Sequence, residues 1–309
     1  MKKTLSIACA VVSVLMLAVW IVCAWKFWSR VEQFERYVGE SGLCSYGNGD
    51  DPYRYGNMIR VRRGGPQWLR DICGEYLCGA LNEVDGVGVR RLSSRSLMAI
   101  ASFPGIRVLY IGGAAAGSQS GYLFPSLQSL EVLAVSRSGL DDDGVAELTR
   151  SGTLKSLALL SVPMITDAGL ESVFAANNLS SLMLMDTGMV TSRFCGVAAI
   201  PRQLESITLK GVQFDDATAS ELAVLPMLIS VHLLHTSIGD AGIMMLCGGE
   251  LQTIAIVDSP ITDTSLKYLI DAKHLTSLVI RGRLSDEAVA AFRAARPDCR
   301  FVYGVGRRL

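Results

Sequence analysis

The sequence predicts an α/β solenoid, a parallel sheet backed by helices, preceded by one N-terminal membrane-spanning helix. Three observations carry this reading. An apolar pattern recurs every 23–25 residues from residue 106 onward. Each copy switches from period two to helical spacing, as a strand followed by a helix requires. A run without charge, Thr4–Trp25, follows Lys2 and Lys3. Composition agrees: of 309 residues, 50% are hydrophobic and 19% charged, which excludes wholesale disorder. Only Lys2, Lys3 and Lys26 precede residue 29, which leaves 26 basic against 29 acidic residues after it. That balance argues against a nucleic-acid partner.

Residues 1–28 read as a membrane anchor. A helix over Thr4–Trp25 spans about 30 Å, the thickness of one hydrocarbon core. Trp20, Trp25 and Trp28 cluster where amphipathic rings favour the lipid–water boundary, and Lys26 and Arg30 end the run. The competing reading is a cleaved signal peptide, which wants a shorter apolar core and small residues before the cut. Here Ile21 and Val22 precede Cys23. Lysine and arginine lie on both sides of the span, so their distribution barely sets orientation. The short tail before a long domain favours repeats outside the cytoplasm.

Residues 29–60 read as juxtamembrane segment and linker. Val31, Phe34 and Val38 recur at helical spacing, and residues 39–57 are rich in Gly, Asn, Asp and Tyr without a period. Residues 61–105 read as an N-terminal cap and a degenerate repeat. Pro66 suits the first turn of a helix whose apolar face is Trp68, Leu69, Ile72, Cys73, Tyr76 and Leu77. Cys73 and Cys78 are either a disulfide or two buried thiols, depending on the compartment. Val84–Leu97 resembles a worn copy of the repeat.

Residues 106–309 form the solenoid and its C-terminal cap. The template is L-x-x-L-x-L, then an apolar residue five later and another five after that. Leu130, Leu133, Val135, Leu140 and Val145 fit it. So do Leu179, Leu182, Leu184, Met189 and Phe194, and Leu204, Ile207, Leu209, Phe214 and Ala219. The copies at Leu228 and Leu251 are regular; the one at Leu154 needs an extra residue before Ile165, and the one at Leu275 is one short before Leu284. Ile106, Leu109 and Ile111 begin a copy whose second half is the glycine-rich stretch 112–121, read as a loop. No copy buries its apolar face alone, so neighbours must stack.

The turn before each helix carries a second signature: Leu140–Val145 (LDDDGV), Ile165–Leu170 (ITDAGL), Ile238–Ile243 (IGDAGI) and Ile261–Leu266 (ITDTSL). An acid or hydroxyl there accepts the unpaired amide hydrogens of the helix start. Calcium is the sharper reading of the aspartates, but one per repeat at a helix start is explained by capping. Gly144, Gly169 and Gly242 allow close approach of helix and sheet.

Period and template are those of leucine-rich repeats. L-x-x-L-x-L with ITDAGL resembles the ribonuclease-inhibitor-like class. The N-terminal anchor, the W-L-R at Trp68–Arg70 and the closing A-R-P-D-C-R at Ala295–Arg300 resemble membrane-anchored bacterial proteins of that class. The resemblance covers about residues 66–309. It implies a right-handed solenoid, a protein-binding role and no shared catalytic residues.

In such a solenoid the non-template strand residues face the concave surface. Here they are small, hydroxylated or apolar: Ser156, Ser181, Ser206, Ser230, Thr253 and Ser277 lead the strands. The candidate contact patch is Met183, Met185, Lys210, His232, Leu234, His235 and Arg281, set against a plain solvated sheet whose hydroxyl row helps the strands pair. His232 and His235 read as lying on opposite faces, which opposes joint metal ligation. No phosphate-binding loop and no nucleophile elbow is present. No catalytic residue, metal, cofactor or small-molecule substrate is expected. Cys195, Cys247 and Cys299 read as core fillers. Arg293, Arg296, Arg300, Arg307 and Arg308 read as a solvated basic cap or as a contact for anionic lipid or an acidic partner. The expected function is non-catalytic protein binding at a membrane. The alternatives are a structural envelope component without a specific ligand, or a regulator of an enzyme.

Overall fold

The computed structural model describes residues 45–46, 58–62, 83–89, 105–112, 127–150, 152–176, 179–191 and 200–304, with positions 23, 26, 29 and 100. The run 4–25 apart from Cys23, the helix expected from Pro66, Cys73 and Cys78, the stretch 113–121, Phe194, Cys195, Arg307 and Arg308 lie outside the described residues. Among the described residues no helix is long and apolar enough to cross a membrane.

The chain divides into two compact units, 1–112 and 113–309. In the first, β1 (Ser45–Tyr46) pairs in parallel with β2 (Met58–Arg62), which pairs antiparallel with β3 (Glu83–Val89). β4 (Val108–Gly112) then pairs in parallel with β3. β1 and the start of β2 fall within the stretch read as linker, where no period announces a strand. β3 falls where the worn copy was expected. Val87, Ile106, Leu109 and Ile111 are buried, as the template requires.

In the second unit β5 (Val132–Ser136), β6 (Ser156–Leu160), β7 (Ser181–Met185), β8 (Ser206–Lys210), β9 (Ser230–Leu234), β10 (Thr253–Val257), β11 (Ser277–Arg281) and β12 (Arg300–Gly304) pair consecutively and in parallel. Helices connect them: α1 (Asp142–Thr149), α2 (Asp167–Ala176), α3 (Asp216–Ala223), α4 (Asp240–Leu246), α5 (Asp263–Ile270) and α6 (Asp286–Ala295). The strands are five residues long; β6–β11 alternate half-buried with buried positions, so the second and fourth residues of each point into the core, whereas in β12 those positions are half-buried. Each fully buried Leu, Ile, Val or Phe there stabilises the fold by about 1.5–3 kcal/mol relative to an exposed one.

One template position is corrected. Met189 is 52% exposed, and the buried residue is Val190. The copy beginning at Leu179 carries the same extra turn residue as the copy beginning at Leu154, so the buried position slips by one. In that register Ser192 stands where the neighbouring repeat has Asp167.

The turn acids divide into two roles that the sequence reading merged into one. The helix-start amides are accepted by the residue just before the helix: Asp141 from Gly144, Asp215 from Thr218, Thr262 from Thr264 and Ser285 from Ala288, at 2.9–3.2 Å. The first helical aspartate instead reaches into the next repeat. Asp142 accepts from the Thr166 amide at 2.8 Å and its hydroxyl at 2.6 Å. Asp167 accepts from Thr191 in the same two ways, also at 2.8 and 2.6 Å. Asp216 accepts from the Gly239 amide at 2.6 Å, and Asp263 from the Ser285 amide at 2.9 Å. Asp240 accepts from the Thr262 amide at 2.8 Å and hydroxyl at 2.5 Å, and from the Ser265 hydroxyl. The aspartates thus form a ladder of charge-assisted hydrogen bonds between repeats. These carboxylates have protein donors, and among the described residues no group of three His, Cys, Asp or Glu is placed to hold a metal ion.

The ladder gives the fold a pH dependence. Burial raises the Asp240 carboxyl, but the donors Ser265 and Thr262 outweigh it and hold it below the ordinary carboxylate value. The Ser285 amide does the same for Asp263, and the Thr218 hydroxyl for Asp215. A carboxylate depressed in the folded state stabilises above its unfolded value of about 3.9, and that contribution is lost as pH falls through the lowered folded value. The urea midpoint is therefore expected to hold from neutrality down to about pH 4–5 and fall below it. Asp240→Asn should flatten the fall; an unchanged slope in that variant would count against the ladder as its source.

The C-terminal arginines do not form one solvated cap. The Arg296 side chain is only 11% exposed and pairs with Asp298 at 2.9 Å. Its guanidinium donates to the carbonyls of Ile270 at 3.2 Å, Ala272 at 2.7 Å and Leu275 at 2.7 Å. These close the end of α5 and the turn before β11, where backbone acceptors lack helical partners. Cys299 is buried beside it, as expected of a core filler; Cys247 is half-buried, and burial together with Asp271 pushes its thiol up to about 12.

Candidate functional site

The open face of the β5–β12 sheet is built from the residues that alternate away from the core. The register sets them in rows across neighbouring strands. The first row runs Ser156, Ser181, Ser206, Ser230, Thr253, Ser277. The second runs Ala158, Met183, Thr208, His232, Ala255, Val279. The third runs Leu160, Met185, Lys210, Leu234, Val257, Arg281.

Five of the seven candidate residues come together on β7, β8 and β9. Met183 and His232 flank Thr208 in the second row, and Met185, Lys210 and Leu234 are consecutive in the third. All five are half-buried. Arg281 lies in the same third row but two strands on, beyond Val257. His235 is not on a strand: β9 ends at Leu234, and His235 follows it with φ +51°. Strand alternation therefore does not govern it. Its exposed ring has Nδ1 3.8 Å from Asp258 Oδ2.

The face is low in net charge. The Lys210 ammonium is met by Asp186 at 3.1 Å. Burial pushes the His232 imidazole below its ordinary pKa, so the ring is neutral at pH 7. Its Nε2 lies 3.4 Å from the Ser230 hydroxyl. What remains is an apolar cluster of Leu160, Met183 and Met185 on β6 and β7, parted from Leu234 on β9 by Thr208 and the paired Lys210 on β8. Methionine side chains are flexible and polarisable and adapt to irregular partner surfaces.

Two features were not read from the sequence. The turn after β6 exposes Met164, 46% accessible, and the turn after β7 exposes Met189, 52% accessible. Each lies four residues past the end of its strand. The misplaced template position had hidden Met189 in the core. The second feature is a column of left-handed residues just after the strands: Arg137, Ser161, Asp186, Gly211, His235 and Asp258, with φ between +47° and +62°. Each donates its amide to the last strand residue of the next repeat, as Asp186 does to Lys210 O and His235 to Val257 O, both at 2.8 Å. Glycine adopts this conformation freely, and at Gly211 a Cβ would also meet Asp186 Oδ1 at 2.7 Å. The recurrence of Asp, Gly, His and Ser at this one position was the available signal.

No family model matches the chain, and no curated protein matches it. Among solved structures, an internalin from Listeria monocytogenes is similar at 16% identity and a TM-score of 0.43. That match takes in 68% of this chain and 65% of the other, so this chain spans less than two thirds of the length of that neighbour. The 23–25-residue period, the consecutive parallel strands and the helices that connect them make the described repeats a leucine-rich-repeat solenoid.

Proposed function

We propose that this protein is a non-catalytic protein-binding module held at a membrane by residues 4–25, with its repeats outside the cytoplasm. The partner docks on the open face of the sheet over β6–β9. The observation that supports this is the half-buried apolar cluster Leu160, Met183 and Met185, with Leu234 beyond Lys210 in the same row and Met164 and Met189 exposed in the turns that follow β6 and β7. Such a cluster, with polar residues around it, has the composition of a protein interface. The anchor raises the local concentration of the module near partners in the same membrane layer.

The test places a photo-crosslinking residue at Met185, and in a second variant at Met244, which is 47% exposed on α4. The expected result is a protein captured from Met185 and not from Met244. Affinity for that protein should fall at least tenfold, about 1.4 kcal/mol, on Met185→Asp or Leu234→Asp. Equal capture from both positions, or unchanged affinity in both variants, would overturn the reading. Orientation is tested separately by a cysteine introduced at Asp50 in a chain stripped of its own cysteines. A membrane-impermeant thiol reagent should label it in intact cells; labelling only after lysis would put the repeats in the cytoplasm.

A further inference from the structure

We propose that His232 makes docking on the open face of the sheet dependent on pH: the partner settles over a neutral imidazole and is released when that ring takes up a proton. This rests on the docking reading above and adds how that face is regulated.

The position of the ring comes first. His232 is the middle residue of β9 and is half-buried. The register places Thr208 of β8 on one side of it and Ala255 of β10 on the other. Met183 lies beyond Thr208 in the same row, and Leu234 is the next open-face residue on β9 itself. A partner that covers Met185 and Leu234 therefore covers the imidazole as well, and takes away the water that would solvate its charged form.

The second observation is the missing counter-charge. None of β8, β9 and β10 contains an acidic residue, and apart from the ring the one charged side chain they carry is Lys210. Lys210 stands diagonally across from His232, about 8 Å away between Cα atoms, and its ammonium is held by Asp186 at 3.1 Å. Past β10 the third row adds Arg281 on β11, another cation. Asp258, in the turn after β10, has its carboxylate 3.8 Å from His235. A protonated His232 would thus meet the Ser230 hydroxyl, 3.4 Å from its Nε2, and cations, with no anion in its own or the flanking strands. Burial already holds the imidazole below its ordinary pKa, and exclusion of water by a docked partner lowers it further. Binding and proton uptake then oppose each other, so affinity is full while the ring is neutral and falls as pH drops through its value in the free protein.

The third observation isolates the group. The chain has three histidines. His235 faces Asp258, and His274 has Nε2 3.2 Å from the Glu250 carboxylate, so both have an anion to receive their charge. Histidine is the side chain whose ordinary titration lies between pH 5 and 8, and three substitutions separate the sources.

The photo-crosslinking residue at Met185 serves again, in isolated membranes at about pH 7.5 and about pH 5.0. The yield of the Met185 adduct should fall at least about threefold at the lower pH. His232→Gln should hold its own yield level between the two, whereas His235→Gln and His274→Gln should keep the fall. A level yield without any histidine change, a rise at the lower pH, or an equal fall in His232→Gln would overturn the proposal and leave the docking reading standing. No adduct at either pH would overturn both. A second measurement needs no partner: the full chain, carrying carbon-13-labelled histidine, is titrated in detergent micelles by nuclear magnetic resonance. The signal missing from His232→Gln should titrate below the ordinary value of about 6.5. Titration at or above that value would also overturn the proposal, since the face would then already accommodate the charge.

Discussion

Gly169→Ala is expected to destabilise the repeats by about 2–4 kcal/mol, although it adds a single methyl group and improves helix propensity. A Cβ at Gly169 would stand 2.2 Å from Asp142 Oδ1 and 2.7 Å from its Cγ. Asp142 has nowhere to retreat without releasing the Thr166 amide and hydroxyl it holds across the repeat junction. The cost combines overpacking with loss of charge-assisted hydrogen bonds. A double-mutant cycle separates this from a plain backbone effect. In an Asp142→Gly background every one of those contacts is gone, so Gly169→Ala should cost little or gain from its better helix propensity, by up to about 1 kcal/mol. Chemical denaturation of the four proteins measures it, and an equal loss in both backgrounds would sink the explanation. Gly242 is placed in the same way against Asp216, at 2.6 Å. Where the preceding repeat offers Ser192 instead of an aspartate, the following one carries Thr218 in place of glycine. At Ser265 the side chain is accommodated by donating to the aspartate itself.

The second large effect is expected at Arg296. Arg296→Ala should cost about 3 kcal/mol, because it takes the guanidinium from three carbonyls at the end of α5 and in the turn before β11, of which Ala272 O keeps the Leu275 amide, and removes the partner of Asp298. Arg296→Lys should recover only part of this, since an ammonium lacks the planar fork that spans Ala272 and Leu275 at once. Thermal unfolding of both variants tests it. A loss under about 1 kcal/mol for the alanine variant would mean that water satisfies those carbonyls.

Most of the repeat architecture was legible because it rests on apolar spacing. Leu130, Leu133, Val135, Leu140 and Val145 are all buried, as the template demanded. The turn was less legible. Leu179–Val190 holds one more residue than Leu204–Phe214, and the spacing of apolar side chains alone let Met189 pass for the buried one. The ladder was misassigned for a different reason. Asp141 and Asp142 are chemically identical neighbours, yet one serves its own helix and the other the next repeat. That distinction depends on direction in three dimensions, which composition does not encode. On the open face, strand alternation correctly brought Met183, Met185, Lys210, His232 and Leu234 together. It failed at His235, where the chain leaves the strand through a left-handed residue. Thr187 also escaped notice: its buried hydroxyl has no partner among the described residues, whereas at the corresponding place two repeats on, Thr236 bonds to Ser259 at 3.0 Å. Its counterparts in the adjacent repeats are Val162 and Val212, which offer no polar atom.

The aspartate ladder also makes the repeats interchangeable. Each rung is a two-part joint whose parts sit on successive units: the carboxylate leads, and the amide and hydroxyl follow. A unit such as Leu228–Glu250 carries both parts, receiving Asp216 at Gly239 and offering Asp240 to Thr262. Removing that whole unit in register would bring Asp216 to Thr262 and Ser265, a socket already built for an aspartate. A unit of this kind can therefore be added or removed without redesigning a junction, whereas the copy beginning at Leu179, with Ser192 in the aspartate's place, is matched to the Thr218 that follows it.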